Sequence, residues 1–219
     1  MFWLRRLLLH QVLAAIYPHY KDTGPECRVS KTKDQIIQEA LKFEYGGMLK
    51  SELKFLYDFC IDKKVLELGS MVGMSSYVIA HVAKEIHCVD AWDDSLSHLK
   101  EDPRQIDAYT NDWLAQESPP NMLESFKNNC KKFLDSGKMK MTQGWTQNVA
   151  HVFEKEAYDV LFIDADHSRK GVTRDIVKYY HTVKTGSPII FHDYGCGHWR
   201  AVTQAVNDAV RRGLIAPWS

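Results

Sequence analysis

The sequence predicts an α/β protein built on a Rossmann-like, doubly wound and mostly parallel sheet with helices on both faces. Three observations carry this. Short β-branched runs alternate with helical-period segments between residues 60 and 213. Two runs, Val160-Leu161-Phe162-Ile163 and Ile189-Ile190-Phe191, are apolar throughout, as in strands covered on both faces. A third run, Lys64-Val65-Leu66-Glu67-Leu68, the earliest in the chain, ends in a glycine-bearing turn that leads straight into a helix.

Leu49, Leu53, Leu56, Tyr57 and Cys60 form a helical stripe behind the flexible pair Gly46-Gly47, expected to pack beside the first strand. That strand is Lys64-Val65-Leu66-Glu67-Leu68, and a helical stretch at residues 77–84 crosses to a second at 86–89. More than forty residues, including Pro103, Pro119 and Pro120, precede a weaker third strand around 139–142. This is too long for a plain connection, so a cap over the site is expected at about residues 93–125. The two apolar runs are strands four and five, both expected to lie centrally. Val202, Val206, Ala209 and Val210 then make one stripe, with Gly213 placed as a C-terminal cap.

Residues 1–45 form a helical leader and 46–219 a single domain. In the leader, Leu4, Leu8, Val12 and Ile16 recur every four residues beside Arg5 and Arg6, while His10 and Gln11 interrupt the apolar run. An amphipathic helix docked on its own domain or on a partner is expected, and no membrane span, which needs about 20 apolar residues. Lys+Arg 28 balances Asp+Glu 28, so no net field draws nucleic acid or anionic lipid. Cys27, Cys60, Cys88, Cys130 and Cys196 contain no C-x-x-C pair, which argues against a disulfide framework and a cysteine zinc site. A reducing, cytoplasmic setting follows as an expectation.

The turn Glu67-Leu68-Gly69-Ser70-Met71-Val72-Gly73-Met74-Ser75 offers backbone N–H groups at a helix start. A phosphate-binding loop would need Gly-Lys-Ser/Thr, and Met74 follows Gly73 instead. A dinucleotide loop would want glycine where Met71 stands, and Glu67 adds negative charge beside the pyrophosphate. S-adenosylmethionine reverses that objection, because Glu67 would attract its sulfonium and ammonium while the helix start takes its carboxylate. The second strand ends in Asp90-Ala91-Trp92, with an acid placed for both ribose hydroxyls and an aromatic to cover adenine.

With these motifs in view, VLELGSMVGMSS followed by CVDAW resembles the first two motifs of class I S-adenosylmethionine-dependent methyltransferases. The stretch from Tyr158 to Ser168, then Gly186 to Tyr194, resembles the macrocin-type sugar O-methyltransferases and their small bacterial relatives, over about residues 45–212. The resemblance implies a methyltransferase with cofactor residues Glu67, Gly69, Ser70, Gly73, Ser75, Asp90, Ala91, Trp92 and Asp164. Trp145, in Gly144-Trp145-Thr146, stands where this fold contacts adenine, or else is core. Such enzymes end in two further strands, for which residues 214–219 leave no room, so strand five is expected as an edge covered by a partner copy or the leader helix.

Strands four and five deliver Asp164, Asp166, His167, His192, Asp193 and Tyr194 to the edge where an open parallel sheet binds ligands. Methyl transfer needs an acceptor held in line and its proton removed or its oxyanion stabilised, by a base or by a metal. The resemblance makes Asp164 and Asp193 ligands of a divalent cation and Asp166 the base. His192 stands where that group has an acid; imidazole is a poor magnesium ligand, so manganese or another borderline ion is equally expected. Without a metal, His192 or His167 serves as base with Asp193 orienting the ring, unless His167 and Ser168 merely cap the next helix. Cys196 between Gly195 and Gly197, and His98 and Trp113 in the cap, carry weaker signals of a thiol and an acceptor pocket. The leading function is methylation of a hydroxyl on a small, sugar-like acceptor. A non-catalytic assembly module and an NAD(P)-dependent oxidoreductase are the alternatives.

Overall fold

The computed structural model describes residues 31–92 and 121–217. The leader stripe and most of the expected cap, with His98 and Trp113, lie outside the described residues. Strand β1 (Lys64–Leu68) lies at the centre of a five-stranded sheet. It pairs in parallel with β2 (Glu85–Asp90) and with β4 (Val160–Ile163). Strand β3 (Met139–Gln143) flanks β2, and β5 (Ile189–Phe191) flanks β4, giving the order β3-β2-β1-β4-β5 with every pairing parallel. The order reverses between β1 and β4, the switch point where such sheets open a crevice.

Successive β1 side chains point to opposite faces, and each face has its own helices. On one face Val65 meets α1 (Lys33–Ala40), α2 (Lys50–Phe59), α3 (Met74–Val82) and α4 (Met122–Asp135), in a core that includes Ile36, Leu53, Ile79 and Phe126. On the other, Leu66 and Leu68 meet the short α5 (Thr146–Val149), α6 (Arg169–Tyr179) and α7 (Arg200–Arg211) around Ile176, Tyr179 and Val202. Helix α7 ends as its sequence requires: Gly213, at φ 68°, donates to Val210 and Leu214 donates to Ala209, a left-handed cap.

Three expectations change. Strand β5, expected as central from its apolar run and as an edge from the strands missing after it, is an edge among the described residues, with all three of its residues only half-buried. Helix α3 starts at Met74 rather than 77, because Gly73 at φ 87° turns the chain directly into it. The last part of the expected cap belongs to α4, whose stripe Met122, Phe126, Cys130 and Phe133 is core rather than lid.

Gly69 joins the two halves of the sheet. It sits at φ 86°, and a β-carbon there would lie 2.0 Å from the Asp164 carbonyl oxygen, a backbone atom that cannot step aside. Gly69→Ala should cost on the order of 3 kcal/mol or prevent folding. Gly186→Ala, at φ 82° with open space around it, should cost only about 1 kcal/mol. Urea unfolding of the two variants checks this, and equal losses would refute it.

Candidate active site

The turn after β1 is held from beneath by two acids. Glu67 is fully buried and accepts hydrogen bonds from Ser70 Oγ at 2.8 Å, from Ser75 Oγ at 2.6 Å and from Ser76 Oγ. Burial pushes its carboxyl upward, against the three hydroxyls. Asp90 ends β2, and its Oδ2 accepts the N–H groups of Ser70 at 2.9 Å and Met71 at 2.8 Å, while Oδ1 accepts that of Trp92 at 2.7 Å. Burial raises its pKa too, and these three N–H donors oppose the rise. Glycine is needed at both ends of the turn: at Gly73 a β-carbon would come within 2.8 Å of Cys130 Sγ on α4.

This geometry revises several assignments made from the motif. Glu67 does not stand at an open strand tip facing cofactor cations; its zero exposure and three serine donors make it a brace of the turn. Ser70 and Ser75 turn their hydroxyls inward to it, which leaves the N–H groups at the start of α3 as the donors facing outward. Trp92, 5 % exposed, packs on Phe126 with ring centroids 4.7 Å apart and donates its indole N–H to the Met71 carbonyl at 2.7 Å. It walls the turn rather than covering a ligand. Asp90 keeps about one of its four lone-pair positions, enough for one ribose hydroxyl rather than two. Gly144 N–H donates to the Asp90 carbonyl at 2.8 Å, which brings half-buried Trp145 to the same corner as Asp90 and Ala91.

At the ends of β4 and β5 the chain gathers Asp164, His167, His192 and Asp193, with one ligand atom of each within 4.8 Å of the others. Oxygen and nitrogen alternate around a ring. His167 Nε2 lies 3.4 Å from Asp164 Oδ1 and 3.0 Å from Asp193 Oδ2, and His192 Nδ1 lies 3.1 and 3.0 Å from the same two atoms. A ring with such sides has corners about 2.2 Å from its centre, close to the ~2.0–2.2 Å that nitrogen and oxygen donors keep from a first-row divalent ion. Two imidazoles and two carboxylates suit manganese, zinc or a similar ion better than magnesium.

The electrostatics of this ring correct the reading of either histidine as a resting base. Burial opposes charge on His167, yet hydrogen bonds to Asp164 and Asp193 and their charges win, and its pKa rises to about 9. For His192, burial is outweighed first by the charge of Asp164 and then by hydrogen bonds to Asp164, Asp193 and Glu52, which hold the ring well above the usual imidazole range. Asp164 and Asp193 are lowered by the same imidazoles despite their own burial. Both rings therefore stand as cations near neutrality. His167 is no helix cap: Ser168 does that, accepting the Gly171 N–H at 3.0 Å, while the His167 ring lies on Trp199 with centroids 4.4 Å apart.

Asp166, implied as base, is not in the ring. Its Oδ1 accepts the Ser168 N–H at 2.8 Å, and its carboxyl lies within about 2 Å of where a Gly171 β-carbon would be, against the first turn of α6. Two acids escaped the sequence reading. Glu52, on the first turn of α2, reaches His192 Nε2 at 3.3 Å; the capping signature that would draw attention to it lacks Ser or Thr, since Leu49 is the N-cap. Asp175 on α6 is 1 % exposed; Oδ1 accepts from Thr146 Oγ1 at 2.6 Å, and Oδ2 has no hydrogen-bond partner among the described residues. Cys196 is half-buried and lies outside the ring.

The switch-point crevice, the braced turn and the titratable strand ends together define a class I methyltransferase fold. A family described as a methyltransferase domain matches residues 66–194, more than half the chain, and the chain belongs to it. It is an S-adenosylmethionine-dependent methyltransferase, which displaces the assembly-module and oxidoreductase alternatives. A Staphylococcus aureus structure provisionally described as a caffeoyl-CoA O-methyltransferase shares 13% identity over 94% of this chain and 90% of that one, with TM-score 0.58. A Klebsiella pneumoniae structure provisionally described as an O-methyltransferase shares 14% over 92% and 83%, with TM-score 0.54. The S-adenosylhomocysteine-bound methyltransferase of Podospora anserina shares 14% over 94% and 86%, with TM-score 0.53. At such identities the likeness is one of fold. No curated protein matches the chain. Among the described residues no helix is long and apolar enough to cross a membrane.

Burial first, then the charge of Asp166, raises Asp175 from 3.8 to about 7, with the Thr146 hydroxyl acting the other way. The folded chain thus binds this proton more tightly than the unfolded one, so the contribution of Asp175 to stability is full below pH 3.8 and lost as pH rises through about 7. Asp175→Asn should gain on the wild type by a few kcal/mol (~3) between pH 4.5 and 8. Urea unfolding at the two pH values measures it, and a pH-independent difference would refute it.

Proposed function

We propose that the chain transfers the methyl group of S-adenosylmethionine to a hydroxyl oxygen of a small, sugar-like acceptor at the Asp164–His167–His192–Asp193 ring. The observation that carries this is the position of the ring at the strand ends, next to the cofactor turn: the Gly69 backbone abuts Asp164 itself. Asp90, Ala91 and Trp145 would hold the adenosine end, and the N–H groups at the start of α3 the cofactor's carboxylate. S-adenosylmethionine supplies an electrophilic methyl carbon.

The ring's contribution is positive charge beside the attacking oxygen, held in place by carboxylates. The N–H groups of His167 Nε2 and His192 Nδ1 are held by Asp164 and Asp193 at 3.0–3.4 Å, so it is the charge of the two imidazolium rings, rather than a hydrogen bond from them, that would act on the oxygen as it becomes negative. A divalent ion held by these four side chains would supply the same charge as a Lewis acid and lower the acceptor hydroxyl's pKa. The ring would then give up its imidazole protons, so uptake of Mn²⁺ should release protons and strengthen as pH rises toward 9. A hydroxyl is the acceptor that gains most from such a site, because its proton must be lost and its oxygen carries developing charge.

At a hundred times their dissociation constants, S-adenosylmethionine and S-adenosylhomocysteine should each raise the melting midpoint by roughly 5 to 10 °C, and NADH should not. With methyl-labelled cofactor and a panel of sugars, catechols and alcohols, the label should appear in a base-stable ether. Asp193→Asn should lower that turnover about 100-fold or more while S-adenosylhomocysteine affinity stays within about threefold. Base-labile or nitrogen-bound label would overturn the hydroxyl assignment. EDTA should abolish turnover and Mn²⁺ restore it; turnover indifferent to EDTA would remove the ion and leave the imidazolium pair as the source of charge.

A further inference from the structure

We propose that Glu52 is a positioning residue for this site: it claims the Nε2–H of His192 and thereby fixes Nδ1 as the nitrogen turned toward Asp164 and Asp193. The His192 ring is only 13 % exposed and has acceptors on both edges. Nδ1 lies 3.1 Å from Asp164 and 3.0 Å from Asp193, and Nε2 lies 3.3 Å from Glu52 Oε2. An ionised carboxylate only accepts, so the nitrogen facing it must carry hydrogen. As a cation His192 carries N–H on both nitrogens; when it gives up one proton to hold an ion, the partner that keeps the other N–H decides which nitrogen offers its lone pair. Glu52 holds it on the side away from the ring of ligands. The edge of His192 also stands perpendicular to Phe162, with centroids 6.4 Å apart, which limits rotation of the imidazole.

The same Glu52 oxygen accepts the Leu49 N–H at 2.6 Å, closing the start of α2. One carboxylate thus joins the first turn of a helix that precedes β1 to the end of β5, and it lies outside residues 66–194, where the family matches. The strand ends alone supply Asp164, His167, His192 and Asp193, and α2 supplies the group that orients one of them. The consequence for turnover rests on the ring being the acceptor site; the assignment of the two nitrogens does not.

The test uses the full chain labelled with ¹⁵N-histidine, with His192→Gln identifying the resonance. Wild type and Glu52→Gln, whose amide oxygen still accepts, should show a slowly exchanging Hε2 on His192, and in Glu52→Ala its exchange should quicken at least tenfold. Leu49→Pro removes the capped N–H at a φ of −77° that suits proline, and it should leave Hε2 unchanged. Co²⁺ titration should show affinity reduced about 10- to 100-fold in Glu52→Ala and less in Glu52→Gln. The proposal is overturned by wild-type exchange and Co²⁺ affinity in Glu52→Ala, or by equal losses in Leu49→Pro, which would make Glu52 a helix cap only. If wild type takes up no Co²⁺, the ion reading of the ring fails, and the Hε2 exchange still decides the role of Glu52.

Discussion

The close approach of Gly69 to the Asp164 carbonyl is the constraint on which the rest of the site depends. Strands β1 and β4 run side by side, and Asp164 N–H donates to the Leu68 carbonyl at 2.8 Å. The chain leaving β1 must therefore turn at once over the chain leaving β4, at a distance no side chain allows. That turn aims α3 at the crevice and leaves Asp164 at its floor. The turn after β1 and the titratable ring are thus two sides of one backbone contact.

Polar groups hold this contact from inside. A carboxylate as deeply buried as Glu67 is costly unless its lone pairs are filled, and three serine hydroxyls fill them. Asp90 does the same for the backbone of the turn, which Met71 enters at a positive φ of 47°. The two acids convert a strained loop into a fixed one, so the donors at the start of α3 are set before any ligand arrives. Preorganisation of this kind is worth more to a binding site than added flexible contacts, because the ordering cost falls on folding rather than on binding.

Much of this was legible in the sequence, for physical reasons that also mark where legibility stopped. The limits of β1, β4 and β5 follow from hydrophobic runs that end sharply at charged or turn residues, and the parallel pairing follows from the helices between them. Strand β5 is as apolar as β4, however, and nothing in Ile189-Ile190-Phe191 distinguishes an edge from a centre. The acids at the strand ends could be listed, but not the direction each faces. Glu67 points inward because the pleat alternates and α3 lies on its side of the sheet. Asp166 is drawn to the α6 start by a local turn only two residues long, while Asp164, two positions earlier, faces the ring. Glu52 was invisible because its partner is 140 residues away.

The ring also reverses the expected sense of its histidines. In isolation an imidazole near neutrality invites the role of base, and the sequence offers two beside two acids. Brought within 3.0–3.4 Å of both carboxylates, each ring gains more from charge than it loses by burial, and it holds its proton. Asp164 and Asp193, with Glu52 behind His192, thus hold two protonated imidazoles at one point of the crevice, each charge matched by a carboxylate. An attacking oxygen that sheds its proton needs that charge close at hand. On the proposed placement of the acceptor, the carboxylates are the means of fixing the two histidine cations beside it.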